Sequence, residues 1–373
     1  MSLRRTISCL LFPLTCWYAV GVRCRNMLFA LGIKKQEVPH ITTIGVGNLS
    51  TGGTGKTPHV EYLLRLLADR YPTALLSRGY KRQTKGFLLD DGSHDPRLLG
   101  DEPAMLSQKF PAVQVAVCEK RVEGVRRLME QHRLEEGPDG NEVRISTAPQ
   151  LIVLDDVFQH RYIKPTVNIL LTEYSRPFSR DHILPYGDLR EFRSARIRAN
   201  IVIVTKSPAK LNPIERHNIV KELRLQNCQQ VFFSYFDYLP LRALDGQEAA
   251  VDLRRVDHVL VVTGIAHPEP LVAELRLHTR VHHLAFADHH DFSPRDLSQI
   301  KAAYDALPGS NKIIVTTEKD AARLGTRLQG LPAYVQPVRV AFHKSPDMDF
   351  DQIVESAVKE NISFLSKLSV WNR

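Results

Sequence analysis

The hydrophobic pattern of this chain alternates between short apolar runs, which predict strands, and amphipathic segments, which predict helices. In the segment 57–70 the apolar residues recur at helical spacing, at Val60, Leu63, Leu64 and Leu67. The short apolar runs occupy residues 41–46, 73–77, 113–117, 151–154, 168–173, 201–206, 258–263, 281–286 and 312–317. Strands that alternate with helices in this way predict an α/β fold with a mostly parallel sheet and helices on both faces.

The pattern loosens near residues 237–247, where turn residues accumulate. A chain of 373 residues is longer than one average domain and favours about two. We therefore predict an N-terminal segment at 1–36, a larger α/β domain at 37–240, and a smaller α/β domain at 241–373.

The first 35 residues contain six Lys or Arg and no acid, and their apolar stretch at 7–22 includes Trp17 and Tyr18. A membrane-spanning helix needs about 20 apolar residues, whereas this stretch is shorter and contains Pro13. A signal peptide would precede a small-residue cleavage site and a secreted domain, whereas this segment precedes a predicted nucleotide-binding strand. The combination of basic, apolar and aromatic residues favours a helix that lies on a membrane surface. The alternative is a helix packed on the protein's own core.

Composition adds two constraints. The formal net charge of +9 favours anionic surroundings, which include nucleic acid, anionic lipid and phosphorylated substrates. The five cysteines form no Cys-x-x-Cys pair, which argues against a disulfide framework or a zinc ribbon and fits a reducing compartment.

The richest chemistry lies in the stretch GNLSTGGTGKT at 47–57, between a predicted strand and a predicted helix. Glycines let successive amides face one centre, while a Lys-Thr pair that opens a helix suits triphosphate oxygens and Mg²⁺. The strict pattern has glycine where Ser50 stands, so a glycine-rich turn without phosphate is the alternative. ParA/MinD-type loops would place a lysine at Thr51. The predicted nucleotide-binding residues are Ser50, Thr51, Gly52, Gly53, Thr54, Gly55, Lys56 and Thr57.

Acidic and basic residues follow other predicted strands. The run LIVL ends in Asp155 and Asp156, the strand-then-acid arrangement that reaches Mg²⁺ beside a phosphate loop. The basic loop SRGYKR at 77–82 follows another strand, at the edge where α/β sheets bind ligands. A metal site in the Asp288–Asp291 cluster is an alternative, but a histidine that relays a proton for a carboxylate suits phosphoryl transfer better.

Seven motifs in series resemble the tetraacyldisaccharide 4'-kinase family, the lipid A 4'-kinases of Gram-negative bacteria. They are GNLSTGGTGKTP, SRGYKR, GDEP, LDDVFQHR, RPF…LPYGDLRE, ADHHDF and TTEKDA. The resemblance implies a P-loop NTPase-like domain joined to a smaller α/β domain, with ATP and substrate between them. It also implies ATP- and Mg²⁺-dependent phosphorylation of the 4'-hydroxyl of tetraacyldisaccharide 1-phosphate, giving lipid IVA, at the cytoplasmic face of the inner membrane.

The resemblance also implies roles for individual residues. Asp101 of GDEP corresponds to the general base, and His289 of ADHHDF to its partner, delivered from the second domain when the two domains close. The predicted metal-binding residues are Thr57, Glu102, Asp155 and Asp156. The predicted substrate residues are Arg78, Tyr80, Arg121, Gln159, His160, Arg190 and Glu191. Val157 departs from the family pattern, which commonly has glycine there, and a branched residue disfavours a turn with positive φ.

Two rival functions remain at this point. A membrane-associated switch ATPase of ParA/MinD type would explain the loop, the acids and the N-terminal segment, but not Asp101, His289 or the second domain. A nucleic-acid-binding NTPase would explain only the net charge, because no base-reading or stacking module is visible. We therefore expect a lipid A precursor and the membrane surface as partners, with neither nucleic acid nor an obligate protein partner.

Overall fold

The computed structural model describes residues 12–136, 142–244, 251–265, 267–288, 290–328, 330–344 and 349–371. Its strands are β1 (Thr42–Asn48), β2 (Thr73–Ser77), β3 (Leu88–Leu89), β4 (Gln114–Val117), β5 (His132–Glu136), β6 (Glu142–Ser146), β7 (Leu151–Asp155), β8 (Val167–Glu173), β9 (Ile201–Thr205), β10 (Gln230–Tyr238), β11 (Arg242–Ala243), β12 (His258–Thr263), β13 (Arg280–Ala285), β14 (Lys312–Thr317), β15 (Ala333–Gln336) and β16 (Val338–Phe342).

The helices described are α1 (Phe12–Ala30), α2 (Lys56–Leu67), α3 (Pro96–Leu99), α4 (Asp101–Lys109), α5 (Arg121–Met129), α6 (Pro213–Leu223), α7 (Glu269–Arg276), α8 (Pro294–Asp305), α9 (Glu318–Leu324) and α10 (Phe350–Trp371). Short 3₁₀ turns occur at Phe178–Arg180, Arg193–Arg198, Leu253–Arg255 and Gly325–Leu328. Of the helices described, none is both long enough and apolar enough to cross a bilayer.

The chain forms two compact units. The larger unit consists of Met1–Phe236 and Val340–Arg373, and the smaller unit of Asp237–Arg339. The predicted boundary near residue 240 lies close to the observed one. The assignment of all of 241–373 to the second domain was wrong, because the apolar face of α10 completes the core of the larger unit.

The larger unit is built on a nine-stranded sheet in the order β16-β10-β9-β8-β1-β7-β2-β4-β3. Its central pairs are parallel, and the short β3 is antiparallel to β4. Successive residues of a strand point to opposite faces, so a strand that is apolar throughout needs cover on both sides. The helices α2 and α10 bury one face, and α5 and α6 pack against the other. The predicted α/β class is thereby confirmed.

Strand β1 lies between β7 and β8 in this sheet. The register pairs Val46 of β1 with Asp155 of β7, so the loop that follows β1 starts beside the acids that end β7. Parallel strands place their carboxyl ends at one edge. The topology therefore brings together the two motifs that the sequence separates by about a hundred residues.

The smaller unit contains a five-stranded sheet in the order β11-β15-β14-β12-β13. Strands β12 to β15 run parallel, and β11 is antiparallel to β15. Two clusters of buried apolar residues lie on its faces, and α8 contributes Ile300 and Tyr304 to one of them. A separate antiparallel pair, β5 and β6, occupies the polar excursion after α5.

Candidate active site

The predicted nucleotide loop joins β1 to α2. Gly52 and Gly55 have φ values of 100° and 84°, in the left-handed region that glycine adopts without strain. Gly55 is the N-cap residue of α2, so Lys56 and Thr57 lie in the first turn of that helix. The first N–H groups of a helix have no intrahelical acceptor, and together with the helix dipole they attract anions.

Ser50 stands where the strict phosphate-loop pattern has glycine. It is buried and forms an antiparallel β-bridge with Leu189. The next residue, Thr51, donates its N–H to the carbonyl of Asp188 (N···O 2.7 Å). Bridged backbone of this kind is extended, and any residue adopts it. The position therefore does not require glycine, and the segment 176–192 holds the start of the loop in place.

Lys56 has its ammonium group between the loop and the strand-end acids. Its Nζ lies 3.5 Å from Oδ1 of Asp156 and 3.5 Å from Oδ1 of Asn48. Asn48 is the last residue of β1, and its Nδ2 donates to Oγ1 of Thr54 (2.8 Å). A buried asparagine thus links the lysine to the far side of the loop.

Asp155 and Asp156 differ in their partners. Asp155 ends β7, and its Oδ2 accepts a hydrogen bond from Oγ of Ser77 (3.0 Å). Its Oδ1 is buried and has no hydrogen-bond partner among the described residues. Asp156 instead faces two cations, Lys56 and Arg190, the latter at 3.2 Å.

The backbone turn after β7 occurs at Asp156, whose φ is 47°, and not at Val157. Aspartate is among the few residues that adopt this region readily. Val157 is buried, and a Cβ placed on Gly45 would lie only 2.7 Å from its side chain. The glycine that makes room is therefore in β1, and the departure of Val157 from the family pattern leaves the turn intact.

Electrostatics separate the two acids further. Burial, with the neighbouring charge of Asp156, raises the pKa of Asp155 to about 6. Burial also acts to raise the pKa of Asp156, but Lys56 and Arg190 outweigh it and hold that pKa below its usual value. One acid is thus a fixed anion, while the other pays a desolvation penalty when it is ionised and unliganded.

A polar network joins the turn after β7 to the segment 176–192. Nη1 of Arg190 donates to Oε1 of Gln159 at 3.2 Å, in addition to its contact with Asp156. Nε2 of Gln159 donates to the carbonyl of Asn48 (2.7 Å), beside the nucleotide loop. His160 follows, and its pKa is lowered to about 4, first by burial and then by the arginines at 121, 25 and 78. It is therefore neutral near pH 7.

Two residues predicted to touch substrate are buried instead. Arg121 is 2% exposed and donates to the carbonyls of Cys118 (2.7 Å) and Asp155 (3.0 Å). Glu191 is 1% exposed and accepts from Nη2 of Arg198 (2.9 Å). Their predicted contacts with substrate stay predictions. Arg121 supports the end of β7, and Glu191 fixes the chain after Arg190.

The two other predicted substrate residues, Arg78 and Tyr80, are exposed and lie beside the predicted base. Between them Gly79 packs against Gly100, since a Cβ on Gly100 would lie 3.3 Å from Cα of Gly79. Gly100 precedes α4, whose first turn carries Asp101 and Glu102. This close approach of two glycines joins SRGYKR to GDEP. Glu102 is also near enough to Asp155 to raise the pKa of that acid.

Helix α1 contacts this edge with polar groups. The hydroxyl of Tyr18 donates to the carbonyl of Arg190 (3.0 Å), and Nη2 of Arg25 donates to the carbonyl of Gln159 (2.8 Å). The helix also exposes apolar side chains, namely Phe12, Leu14, Trp17, Val20 and Met27. The helix therefore docks through hydrogen bonds and leaves apolar surface uncovered.

Four residues that were not predicted contact the loop or its acids: Asn48, Ser77, His59 and Thr205. Asn48 was visible as the polar residue that ends an apolar strand just before the glycines. The others contact their partners through the fold, and no spacing rule identifies them. His289, the predicted partner of Asp101, lies outside the described residues. Its described neighbour His290 bonds Asp296, with Nε2 2.9 Å from Oδ2.

Comparisons with known proteins agree on one family. The family model described as tetraacyldisaccharide-1-P 4'-kinase (LpxK) matches residues 7–359. A tetraacyldisaccharide 4'-kinase of Bacteroides fragilis (strain YCH46) is 43% identical over 363 residues, covering 94% of this chain and 93% of the relative. One of Flavobacterium johnsoniae is 40% identical, covering 97% and 99%. The crystal structure of LpxK from Aquifex aeolicus in complex with ATP has a TM-score of 0.69 and 25% identity, covering 95% of this chain and 99% of that chain.

Proposed function

The chain belongs to the tetraacyldisaccharide-1-P 4'-kinase family, and from that premise we propose that it transfers the γ-phosphate of ATP to the 4'-hydroxyl of a tetraacyldisaccharide 1-phosphate. The product would be lipid IVA, an intermediate of lipid A synthesis. One observation carries the proposal. A phosphate-type loop and the turn after β7 meet at one sheet edge, where Lys56 lies 3.5 Å from Asp156.

Mg²⁺ fits the residues present at this edge. Mg²⁺ takes oxygen ligands and usually combines one or two carboxylates with substrate phosphates. Asp155 offers a buried carboxylate oxygen without a hydrogen-bond partner among the described residues, and Thr57 a hydroxyl at the start of α2. These two would hold the ion, which neutralises charge on the phosphates. Asp156 is already neutralised by Lys56 and Arg190, so we assign it to orienting those cations.

The protein's own groups then perform the remaining tasks. The loop amides and Lys56 bind the phosphates and stabilise charge that develops during transfer. Asp101 accepts the proton of the sugar hydroxyl as general base. We assign Arg78 and Tyr80, which the Gly79–Gly100 contact joins to Asp101, to substrate binding. This last assignment follows the resemblance and the exposure of both side chains.

The direct test is transfer of label. The purified chain is incubated with radiolabelled Mg-ATP and tetraacyldisaccharide 1-phosphate in detergent micelles, and the lipid is separated by chromatography. We expect labelled lipid. A protein that hydrolyses ATP and labels no lipid would instead be a switch ATPase of the ParA/MinD type.

The proposed general base, Asp101, can be tested against a control acid, Asp95, which lies just before α3. Asp101→Asn should lower kcat by about 100-fold or more, since general-base catalysis contributes about 10²–10⁴-fold, and should leave Mg-ATP affinity near that of the wild type. Asp95→Asn removes an acid six residues earlier and retains the N-cap of α3, because asparagine caps a helix as well as aspartate. We expect near-normal rates for it. Normal turnover in Asp101→Asn would contradict the assignment, and His289→Gln tests the proposed partner in the same assay.

We further propose that α1 binds the cytoplasmic face of the inner membrane as a peripheral element. Its exposed apolar side, with Trp17 at 79% exposure, is the kind of surface that enters the headgroup region. Deletion of the helix would also remove the hydrogen bonds of Tyr18 and Arg25 to the site, so substitution is the cleaner test. Trp17→Glu should weaken flotation with anionic vesicles, whereas Ile214→Glu, at an exposed apolar position on α6, should not. Equal flotation of both variants would argue against the anchor.

A further inference from the structure

The end of the nucleotide loop has two carbonyl groups that accept hydrogen bonds from side chains of the core. Oγ1 of Thr205, at the end of β9, donates to the carbonyl of Thr54 (2.9 Å), the nearer of two acceptors, since the carbonyl of Thr172 lies at 3.3 Å. Nδ1 of His59, in α2, lies 2.7 Å from the carbonyl of Gly55, which also accepts the backbone N–H of His59 at 3.2 Å. Both side chains are buried, with 0% and 2% exposure. Neither belongs to the loop motif.

These bonds fix the direction of the next two amides. In a trans peptide the carbonyl and the following N–H point in opposite directions within one rigid plane. A Thr54 carbonyl held by the core therefore turns the N–H of Gly55 away from the core. In the same way, the Gly55 carbonyl, held by both the backbone N–H and the ring of His59, directs the N–H of Lys56. These amides belong to the loop assigned above to ATP phosphate.

His59 is held on both sides. A backbone carbonyl only accepts, so Nδ1 must carry the proton, and Nε2 then accepts from Oγ of Ser234 at 2.8 Å. Burial lowers the pKa of His59 to about 4, which keeps the ring in this neutral form near pH 7. Ser234 lies on β10, and its own carbonyl accepts from Oγ of Ser207 at 2.8 Å. The ring is thus fixed by the sheet as well as by its helix.

We propose that Thr205 and His59 are positioning residues for phosphate transfer: they hold the carbonyls of Thr54 and Gly55 so that the amides of Gly55 and Lys56 face the nucleotide phosphates before ATP arrives. The proposal rests on the assignment of this loop to ATP. Electrostatic stabilisation by amides is strongest when their orientation is set in advance. Loss of either side-chain hydrogen bond should therefore weaken ATP binding and slow the chemical step.

The test uses variants that keep or remove one donor. Thr205→Val has the same shape without the hydroxyl, and Thr205→Ser restores it. His59→Asn keeps a donor near the position of Nδ1, whereas His59→Gln places its amide near Nε2 and loses the inner bond. Isothermal titration with Mg-ATP gives the dissociation constant, and steady-state kinetics separate kcat from KM. Loss of one hydrogen bond corresponds to about fivefold to tenfold, so Thr205→Val and His59→Gln should weaken binding by that factor.

Conservative variants and a control variant distinguish loss of these two hydrogen bonds from a general loss of stability. Thr205→Ser and His59→Asn should bind within about twofold of the wild type. Thr73→Val is the matched control, because its hydroxyl also donates to a carbonyl (Tyr71, 2.7 Å) at the start of β2 in the same sheet. It should lower the melting temperature without changing ATP affinity.

The inference is overturned if Thr205→Val and His59→Gln bind Mg-ATP as the wild type does, or if Thr73→Val weakens binding equally. A wild-type protein that binds ATP but labels no lipid would overturn the proposed acceptor alone, because the titration does not depend on the lipid.

Discussion

The carboxyl edges of the two sheets each contain an aspartate with a buried carboxylate oxygen, and the two aspartates have different partners. Asp155 ends β7 in the larger unit, and Asp320 lies in α9, just after β14, in the smaller one. Burial raises the pKa of both, and each has an Oδ1 without a hydrogen-bond partner among the described residues. From sequence alone both belong to family motifs, LDD and TTEKDA.

Their neighbours separate the two roles. Asp320 accepts from the N–H of Gly264 (3.0 Å) and from the hydroxyl of Thr317 (2.8 Å), which is also the N-cap of α9. It ties the loop after β12 to a helix of its own unit. Asp155 has one hydroxyl partner and is surrounded by groups of the nucleotide loop and by further acids. Asp320 accepts a backbone N–H and the hydroxyl of a helix cap in its own unit, which assigns it to the scaffold. Asp155 accepts one hydroxyl and lies beside Lys56 of the nucleotide loop, which suits it to a ligand.

The strongest test of this contrast is Asp155→Asn. If Asp155 binds Mg²⁺, the neutral side chain should lower kcat/KM by about 1,000-fold, within the range seen when one electrostatic contribution is removed from an active site. Because the folded state raises the pKa of Asp155, its ionised form opposes folding near pH 7. The variant should therefore be as stable as the wild type or more stable. Melting curves and kinetics with titrated Mg²⁺ measure both effects. An active variant that unfolds early would reverse the roles of the two acids.

The second test concerns acid stability of the loop edge. The folded pKa of His59 is about 4, below its ordinary value of 6.5, so unfolding takes up a proton between these values. Stability from this group is complete above about pH 6.5 and is lost as the pH falls towards 4. His59→Gln lacks the titration, so the stability gap between wild type and variant should shrink by on the order of 3 kcal/mol between about pH 7 and pH 4. Urea unfolding at several pH values measures the gap. A gap that does not change with pH would mean that His59 is solvated.

The third test is Asp320→Asn, the counterpart of the first. Loss of a charged acceptor for Gly264 and Thr317 should cost about 2 kcal/mol of unfolding free energy, since hydrogen bonds to charged groups contribute about 1.5–3 kcal/mol. At about 20 °C the folded fraction of the variant should phosphorylate lipid at close to the wild-type rate. Loss of activity without loss of stability would make Asp320 a functional residue.

The smallest effects come from the hydroxyls that bond each acid. Ser77→Ala removes a hydrogen bond that lowers the pKa of Asp155, so the acid limb of kcat/KM should move to higher pH. Thr317→Val should cost about 1 kcal/mol of stability and leave the pH profile unchanged. Equal pH profiles in the two variants would remove the distinction between the edges.

Local patterns in the sequence predict much of this fold. The strand at 73–77 is predicted to the residue, and α2 begins one residue before its predicted start. The apolar runs of β7, β8 and β9 are predicted within a residue because strands buried on both faces are apolar throughout. The loop and its acids follow from residue chemistry at strand ends.

Other features depend on contacts that no local pattern contains. The local pattern predicts no strand at 230–238, where β10 adds to the larger sheet. The spacing of Phe350, Val354 and Val358 is helical, but the choice of sheet on which α10 packs is a long-range property. Burial of Arg121 and Glu191 has the same origin. Charged residues in a motif suggest ligand contact, and only the fold shows that these two bond the protein itself.

Residues 340–373 are synthesised last, yet they belong to the larger unit, whose other residues are synthesised first. During synthesis the ribosome completes the whole smaller unit before it reaches α10. The smaller unit can therefore fold while the larger unit still lacks its last helix. Until then the apolar groups that meet Phe350, Val354 and Val358 face solvent. A chain that stops after the smaller unit therefore contains the nucleotide loop, Asp155 and Asp156, but its core lacks the apolar face of α10. Such a chain would be a substrate for proteases and not an enzyme.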